Sequence, residues 1–116
     1  PAYTISLLEQ ELQKAGLPLK RTPIGLLGLA YKKDIGDIRE SPALKTLKIL
    51  KSKRARVHTF DPFLPKFSTE KSLDALLKKC PVVIVATAHT AFQKLTPELL
   101  KKHGVKIVID GRNFLP

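Results

Sequence analysis

The chain has a single cysteine, no tryptophan and no methionine, and only Phe and Tyr supply its aromatic rings. One cysteine, Cys80, excludes an internal disulfide and points to a reducing compartment. It also excludes any CxxC redox or zinc motif, and the scattered His58, His89 and His103 offer no metal-ligand spacing. Long apolar runs are missing too. The longest, "PVVIVA" with its neighbours, falls far short of the roughly 20 residues a membrane helix requires. Nothing at the N-terminus resembles a signal peptide, so a cytoplasmic location with no membrane partner is expected. The sequence begins at Pro1 with no initiator methionine, which reads as a piece of something longer. There is no Walker loop, and "GLLGLA" lacks the third glycine of a dinucleotide fingerprint and the helix that should follow it. Acidic residues are scarce: 10 stand against 21 Lys and Arg, for a formal charge of +11. Such a charge suits nucleic acid, an anionic small ligand or an acidic neighbouring domain, and says nothing about fold. Most of the excess (Lys45, Lys48, Lys51, Lys53, Lys78, Lys79, Lys101, Lys102) lies on expected helix faces and reads as a solvated basic surface.

What is present is one domain's worth of chain. A length of 116 residues buries roughly two thirds of its unfolded surface, enough for one core without metal or disulfide staples. Tyr3, Leu7, Leu8, Leu12 and Ala15 fall at helical spacing before Gly16, and "LPLKRTP" is a connector. "IGLLGLA" and "VVIVAT" are continuous apolar runs of the kind found in strands covered on both faces. "RVHTF" and "VKIVID" complete four strands. Ser41 followed by Pro42, Thr69 or Ser72 before "LDALLKK", and Thr96 followed by Pro97 mark three helix starts between them. Strands alternating with helices imply an α/β, Rossmann-like three-layer sandwich with a mostly parallel sheet. Residues 1–20 form a preceding linker helix and connector, 21–116 form the domain, and the expected strand order is 2-1-3-4.

Open parallel sheets bind ligands at the carboxyl ends of their strands, beside the point where strand order reverses. "AYKKDIGDIRE", "DPF", "TAHTAF" and "DGRNF" lie there, bringing Lys32, Lys33, Arg39, His89 and Arg112 to one edge. Lys32 and Arg112 directly follow strand ends and suit a phosphate-bearing ligand. Tyr31 either fills the core or lays its ring along a base or sugar. Asp34, Asp37, Arg39 and Glu40 read as loop support: Asp37 and Glu40 can pair with Arg39 or accept backbone N–H groups near the Ser41 helix start. His58 and His103 read as packing or surface residues, His89 as a structural loop histidine, and Cys80 as a small buried hydrophobe. No nucleophile comes with a recognisable base, so no catalytic residue is expected.

"LLGLAYKKDIGDIRESPALKTLKIL", "DPF", "VVIVATAH" with Phe92 following, and "VIDGRNF" resemble the C-terminal, UDP-binding domain of the UDP-glucose/GDP-mannose dehydrogenase family. The resemblance runs from about Thr22 to Leu115, and Pro1–Gly16 resembles the helix that joins the family's central domain to this one. It implies an NAD-dependent oxidation of a UDP-sugar C6 hydroxyl to a carboxylate in two steps. It also implies partner domains, one binding NAD and one helical and dimerising, in a homo-oligomeric parent. Tyr31 and Lys32 match the family's aromatic–lysine pair beside the nucleotide sugar, and Arg112 matches the arginine of its "DGR" motif. Lys33 stands where proline is common and Ala88 where aspartate is frequent. The segments that carry the family's catalytic cysteine and NAD site have no counterpart here, so the fragment is expected to hold UDP-sugar with no cofactor of its own. "AYKKDIGDIRESPA" and "DPFLP" look closer to the UDP-N-acetyl-hexosamine dehydrogenases than to the UDP-glucose enzymes. Two other readings stand beside this one: a basic module for nucleic acid, and a structural or interaction domain without ligand.

Overall fold

The structure is a computed structural model, and it describes residues 2–111. Helix α1 (Ala2–Ala15) leads into β1 (Ile24–Leu27), α2 (Pro42–Ser52), β2 (Val57–Phe60), α3 (Leu73–Lys79), β3 (Val82–Val85), α4 (Pro97–Lys102) and β4 (Ile107–Asp110). Short 3₁₀ turns at Pro65–Phe67 and Thr90–Lys94 lie in the connections after β2 and β3. The four strands pair in parallel in the order β2-β1-β3-β4, as expected from the sequence.

The period-two alternation of side chains divides each apolar strand between two cores. Ile24 and Leu26 of β1 and Val82 and Ile84 of β3 pack with Ile5, Leu8, Leu12 and Leu50 from α1 and α2. On the opposite face, Leu27, Val83 and Val85 pack with Leu76 and Leu77 of α3, Cys80, and Phe92 and Leu95 of the connection after β3. Both central strands are therefore buried along their whole length, which is why they read as unbroken hydrophobic runs. At Gly25 the absence of a side chain lets α3 close on the sheet, since a Cβ there would stand 2.4 Å from a Leu76 methyl. Helix α1 contributes to the same core as β1 and β3.

Capping follows the sequence. Ser41 accepts from the Ala43 N–H (3.2 Å) with Pro42 behind it, Ser72 accepts from Ala75, and Thr96 accepts from Leu99 with Pro97 behind it. Ser72, not Thr69, caps α3, because Thr69 is bonded across to Thr59 at the end of β2. The basic helices lie on both sides of the sheet. Lys45, Lys48 and Lys51 are exposed on α2, while Lys78, Lys79, Lys101 and Lys102 are exposed on α3 and α4. No single groove collects them.

Two features set stability. Gly28 ends β1 at φ +92°, and a Cβ there would lie 2.7 Å from the Thr87 amide nitrogen. Glu70, buried below α3, accepts from Lys79 Nζ (2.8 Å), lies 2.9 Å from His58 Nδ1 and accepts from Thr69 Oγ1 (3.1 Å). The Lys79 ammonium first, then His58 and Thr69, hold its carboxyl down from about 4.5 to about 2 against the opposing effect of burial.

Gly28→Ala is expected to cost at least about 2 kcal/mol in urea unfolding, since strain and overlap coincide there. Gly16→Ala, at φ +70° in open space, costs only the conformational strain of about 1 kcal/mol. Because Glu70 is depressed in the folded state, its contribution is fully present above pH 4.5 and is lost as pH falls towards 2. Lys79→Met should therefore move the acid-unfolding midpoint, followed by circular dichroism, to higher pH.

Candidate functional site

Strands β1 and β3 are neighbours, but the chain leaves them in opposite directions: β1 connects outward to β2, and β3 outward to β4. Their following loops, 28–41 and 86–96, leave the carboxyl edge of the sheet where strand order reverses, the place at which open parallel sheets bind ligands.

Asp61, the first residue after β2, organises this edge. Its side chain is fully buried, and four donors converge on it. Oδ2 accepts from the backbone N–H groups of Leu29 (2.7 Å) and Ala30 (3.0 Å) and lies 2.8 Å from His89 Nε2. Oδ1 accepts from the Phe63 N–H at 2.8 Å. Burial pushes the Asp61 carboxyl upward, but His89 and the three amides outweigh it and hold the group below the usual carboxylate range. Thr87 donates to the Ala30 carbonyl (2.6 Å), and Ser41 donates to the Leu29 carbonyl (2.6 Å). Residues 29 and 30 are thus tied to β2, β3 and α2 at once.

Beyond them the loop turns outward. Its neck closes where the Tyr31 N–H meets the Asp37 carbonyl at 2.9 Å. Its tip docks on the other loop, where Asp34 donates its backbone N–H to His89 Nδ1 (2.7 Å). The Asp34 carboxylate accepts from the Thr90 N–H (2.8 Å) and hydroxyl, and these bonds hold its carboxyl below the ordinary range. Between neck and tip stand Lys32 and Lys33, both exposed.

The structure thus distinguishes the residues singled out in the sequence. Tyr31 is not core: 41% of it is exposed, and with Lys32, Asp37, Arg39 and Glu40 it lines an open hollow of about 430 Å³. Arg39 grips Asp37 through two side-chain bonds (3.1 and 3.0 Å) and its own N–H, holding the Asp37 carboxyl down to about 2. Glu40, expected as loop support, is exposed at φ +54°, and the groups expected to meet it, Arg39 and the first helical amide, are bonded to Asp37 and Ser41. Arg112 lies outside the described residues. His58 and His103 are bound to Glu70 and to the Leu99 carbonyl, which makes them packing residues as read from the sequence. Cys80 is buried, and burial first and the Glu70 charge second push its thiol up to about 12, so it is no nucleophile. Among the described residues no group of His, Cys, Asp and Glu could hold a metal ion. No described helix is long and apolar enough to cross a membrane.

Two larger hollows exist. One of about 610 Å³ lies between α3 and the 3₁₀ turn after β3, and one of about 570 Å³ lies beside the turn after β2. Neither touches Lys32 or Tyr31. The smaller hollow joins an exposed cation, Lys32, to an aromatic face, Tyr31, the pair that recognition of an anion carrying a ring would use, while Arg39 there is paired with Asp37. Sequence reading placed "DPF" at the edge but missed the role of Asp61. An aspartate directly after a strand, next to the reversal of strand order, was the available signal.

Residues 25–116 match the UDP-binding domain of the UDP-glucose/GDP-mannose dehydrogenase family. The chain belongs to that family. It is 36% identical over 116 residues to UDP-N-acetyl-D-mannosamine dehydrogenase of Pyrococcus horikoshii, covering 99% of this chain and 27% of that protein. It is 34% identical over 108 residues to UDP-glucose 6-dehydrogenase of Rickettsia conorii, covering 84% of this chain and 25% of that one. A solved structure of UDP-D-ManNAc dehydrogenase from Pyrococcus horikoshii superposes with a TM-score of 0.92 at 36% identity, covering all of this chain and 28% of that one. The chain thus spans about a quarter of the length of these relatives.

The family implies NAD, and the glycine turn after β1 is where a Rossmann sheet would cradle a dinucleotide. A pyrophosphate needs free amides at a turn that enters a helix directly. Here the Leu29 and Ala30 amides already donate to Asp61, and α2 does not begin until Pro42, behind Ser41. These residues do not fit NAD at this turn.

Asp61→Asn replaces an acceptor of four bonds with a group that must itself donate, stranding at least one buried N–H. We expect a loss of about 3 kcal/mol or more in urea unfolding, because a broken buried charge network costs the full desolvation of what remains.

Proposed function

We propose that this chain is the nucleotide-holding domain of an NAD-dependent UDP-sugar 6-dehydrogenase, which oxidises the sugar C6 hydroxyl to a carboxylate. The observation that carries this reading is the exposed Tyr31–Lys32 pair in an open hollow at the carboxyl edge of a domain whose family binds UDP. Lys32 would neutralise the diphosphate, Tyr31 would pack beside the nucleoside or sugar, and Arg112, directly after the β4 turn, would supply a second charge. Asp37, Arg39 and Ser41 brace the loop that presents them. Chemistry would fall to other parts of the protein, with NAD on an N-terminal domain and a central helical domain joined here through residues 1–20. The parent would be a cytoplasmic homo-oligomer. Relatives named UDP-N-acetyl-D-mannosamine dehydrogenase match 99% of this chain at 36% and 34% identity, against 84% at 34% for a UDP-glucose 6-dehydrogenase, which favours a UDP-N-acetyl-hexosamine as substrate.

Calorimetry on the 116-residue chain should show weak binding of UDP, and Lys32→Ala should weaken it about tenfold or more, the worth of one charge-assisted hydrogen bond. Absence of heat at millimolar UDP would refute the reading. The chain alone should reduce no NAD with any UDP-sugar, and turnover by a clean preparation would overturn the division of labour.

A further inference from the structure

Two aromatic rings and two hydrogen-bonding partners meet around one buried imidazole that the proposed UDP site does not itself use. His89 is 0% exposed, wedged between the rings of Phe63 (centroids 4.9 Å apart) and Phe92 (5.6 Å). A backbone N–H is always a donor, so Nδ1, which receives the Asp34 amide at 2.7 Å, carries no proton. The ionised Asp61 is always an acceptor, so Nε2, at 2.8 Å, carries one. The ring is thereby fixed in one neutral tautomer by partners on two different loops. A proton added at Nδ1 would face the Asp34 N–H donor to donor. The charged groups around the ring are the Asp61 and Asp34 carboxylates, the latter 3.7 Å from Nδ1, with Lys33 beyond Asp34.

We propose that His89 is a positioning residue for nucleotide binding: locked by Asp61 in its Nε2–H tautomer, it anchors the Asp34 tip of the loop and so fixes the backbone that carries Lys32. The inference rests on the reading of Lys32 given above and assigns to the 86–96 loop a share in the affinity of a residue it does not touch. The geometry is economical. Residues 31–37 form one closed loop, joined at the neck by the Tyr31–Asp37 backbone bond, packed at Gly36 against Phe63, and hydrogen-bonded at the tip through Asp34. Asp34 supplies three bonds there, one to His89 and two to Thr90, and adopts φ +57° to make them. Lys32 lies two residues from the tip and one from the neck. Without the tip contacts its backbone would be less restrained, and binding would have to order more of the loop.

The test uses the 116-residue chain and UDP. Long-range ¹H–¹⁵N correlation should show His89 as the neutral Nε2–H tautomer, with the Asp34 amide protected from exchange. His89→Gln keeps a donor for Asp61 but cannot also accept from Asp34. Asp34→Gly keeps the left-handed backbone and removes both carboxylate contacts. Each should weaken UDP about fivefold or more, the worth of one net hydrogen bond. Asp34→Gly should leave the unfolding midpoint close to that of the parent. If His89→Gln does not fold, Asp34→Gly and Thr90→Val carry the comparison. A proton on Nδ1, or clamp variants that bind UDP as tightly as the parent while Lys32→Ala binds weakly, overturns the positioning role alone. Unchanged binding by Lys32→Ala refutes the Lys32 reading, and the positioning role falls with it; the tautomer then reports separately whether the clamp exists.

Discussion

The carboxylate of Asp61 is the constraint on which the functional edge of this domain depends. A buried charge is tolerated only when its partners repay the loss of water, and here three backbone amides and an imidazole do so. The four partners come from three stretches of chain: Leu29 and Ala30 from the turn after β1, Phe63 from the turn after β2, and His89 from the loop after β3. One side chain directly after the second strand thereby fastens three loops that the parallel topology delivers to the same end of the sheet. Without it, Leu29 and Ala30 would present two buried N–H groups with no acceptor.

The same interaction explains why a Rossmann-like sheet with a glycine turn has no dinucleotide cradle there. In such folds the amides after the first strand wait for a ligand's phosphate. Here an internal anion takes that position, so the chain has no need to enter a helix at once. It is free to run for thirteen residues from Gly28 to the Ser41 cap, long enough to project Tyr31 and Lys32 away from the sheet. The proposed site therefore lies outward of the glycine turn, on the loop beyond it. A gain in reach is matched by a new requirement, because a loop of that length must be tied down. Ser41 Oγ to the Leu29 carbonyl, Tyr31 N–H to the Asp37 carbonyl, and Asp34 to His89 and Thr90 are those ties.

This division marks what was legible in the sequence. The strands, their order and the helix caps could be read because each rests on local chemistry: unbroken β-branched runs, Ser–Pro and Thr–Pro starts, a Gly stop. The location of the ligand edge followed from topology alone. Pairings across loops could not be read, because they join residues far apart in the chain with no periodicity to betray them; Asp34 and Thr90 are 56 residues apart, and Asp61 and His89 are 28 apart. Asp37–Arg39 was readable for the opposite reason, being two residues apart. At Glu40, proximity to a helix start suggests a cap, whereas in the structure its backbone is left-handed and Ser41 accepts from the first helical amide.

The distribution of charge and apolar surface decides which anion suits the domain. Lysines on α2, α3 and α4 face solvent on both sides of the sheet, where a polyanion could touch only some of them and every contact would be generic. The carboxyl edge differs in kind. Among the described residues, four of the five exposed large hydrophobic residues, Tyr31, Ile35, Phe63 and Phe67, stand on the loops after β1 and β2, and the first of these loops also carries Lys32, Lys33 and Arg39. A bare phosphate would use the cations and leave the apolar surface in water. A ligand that joins an anionic group to a planar ring gains from both, since charge supplies orientation and burial of apolar area supplies free energy. A nucleoside diphosphate has that composition, and the loop braced by Asp61 is where this domain offers the matching pair.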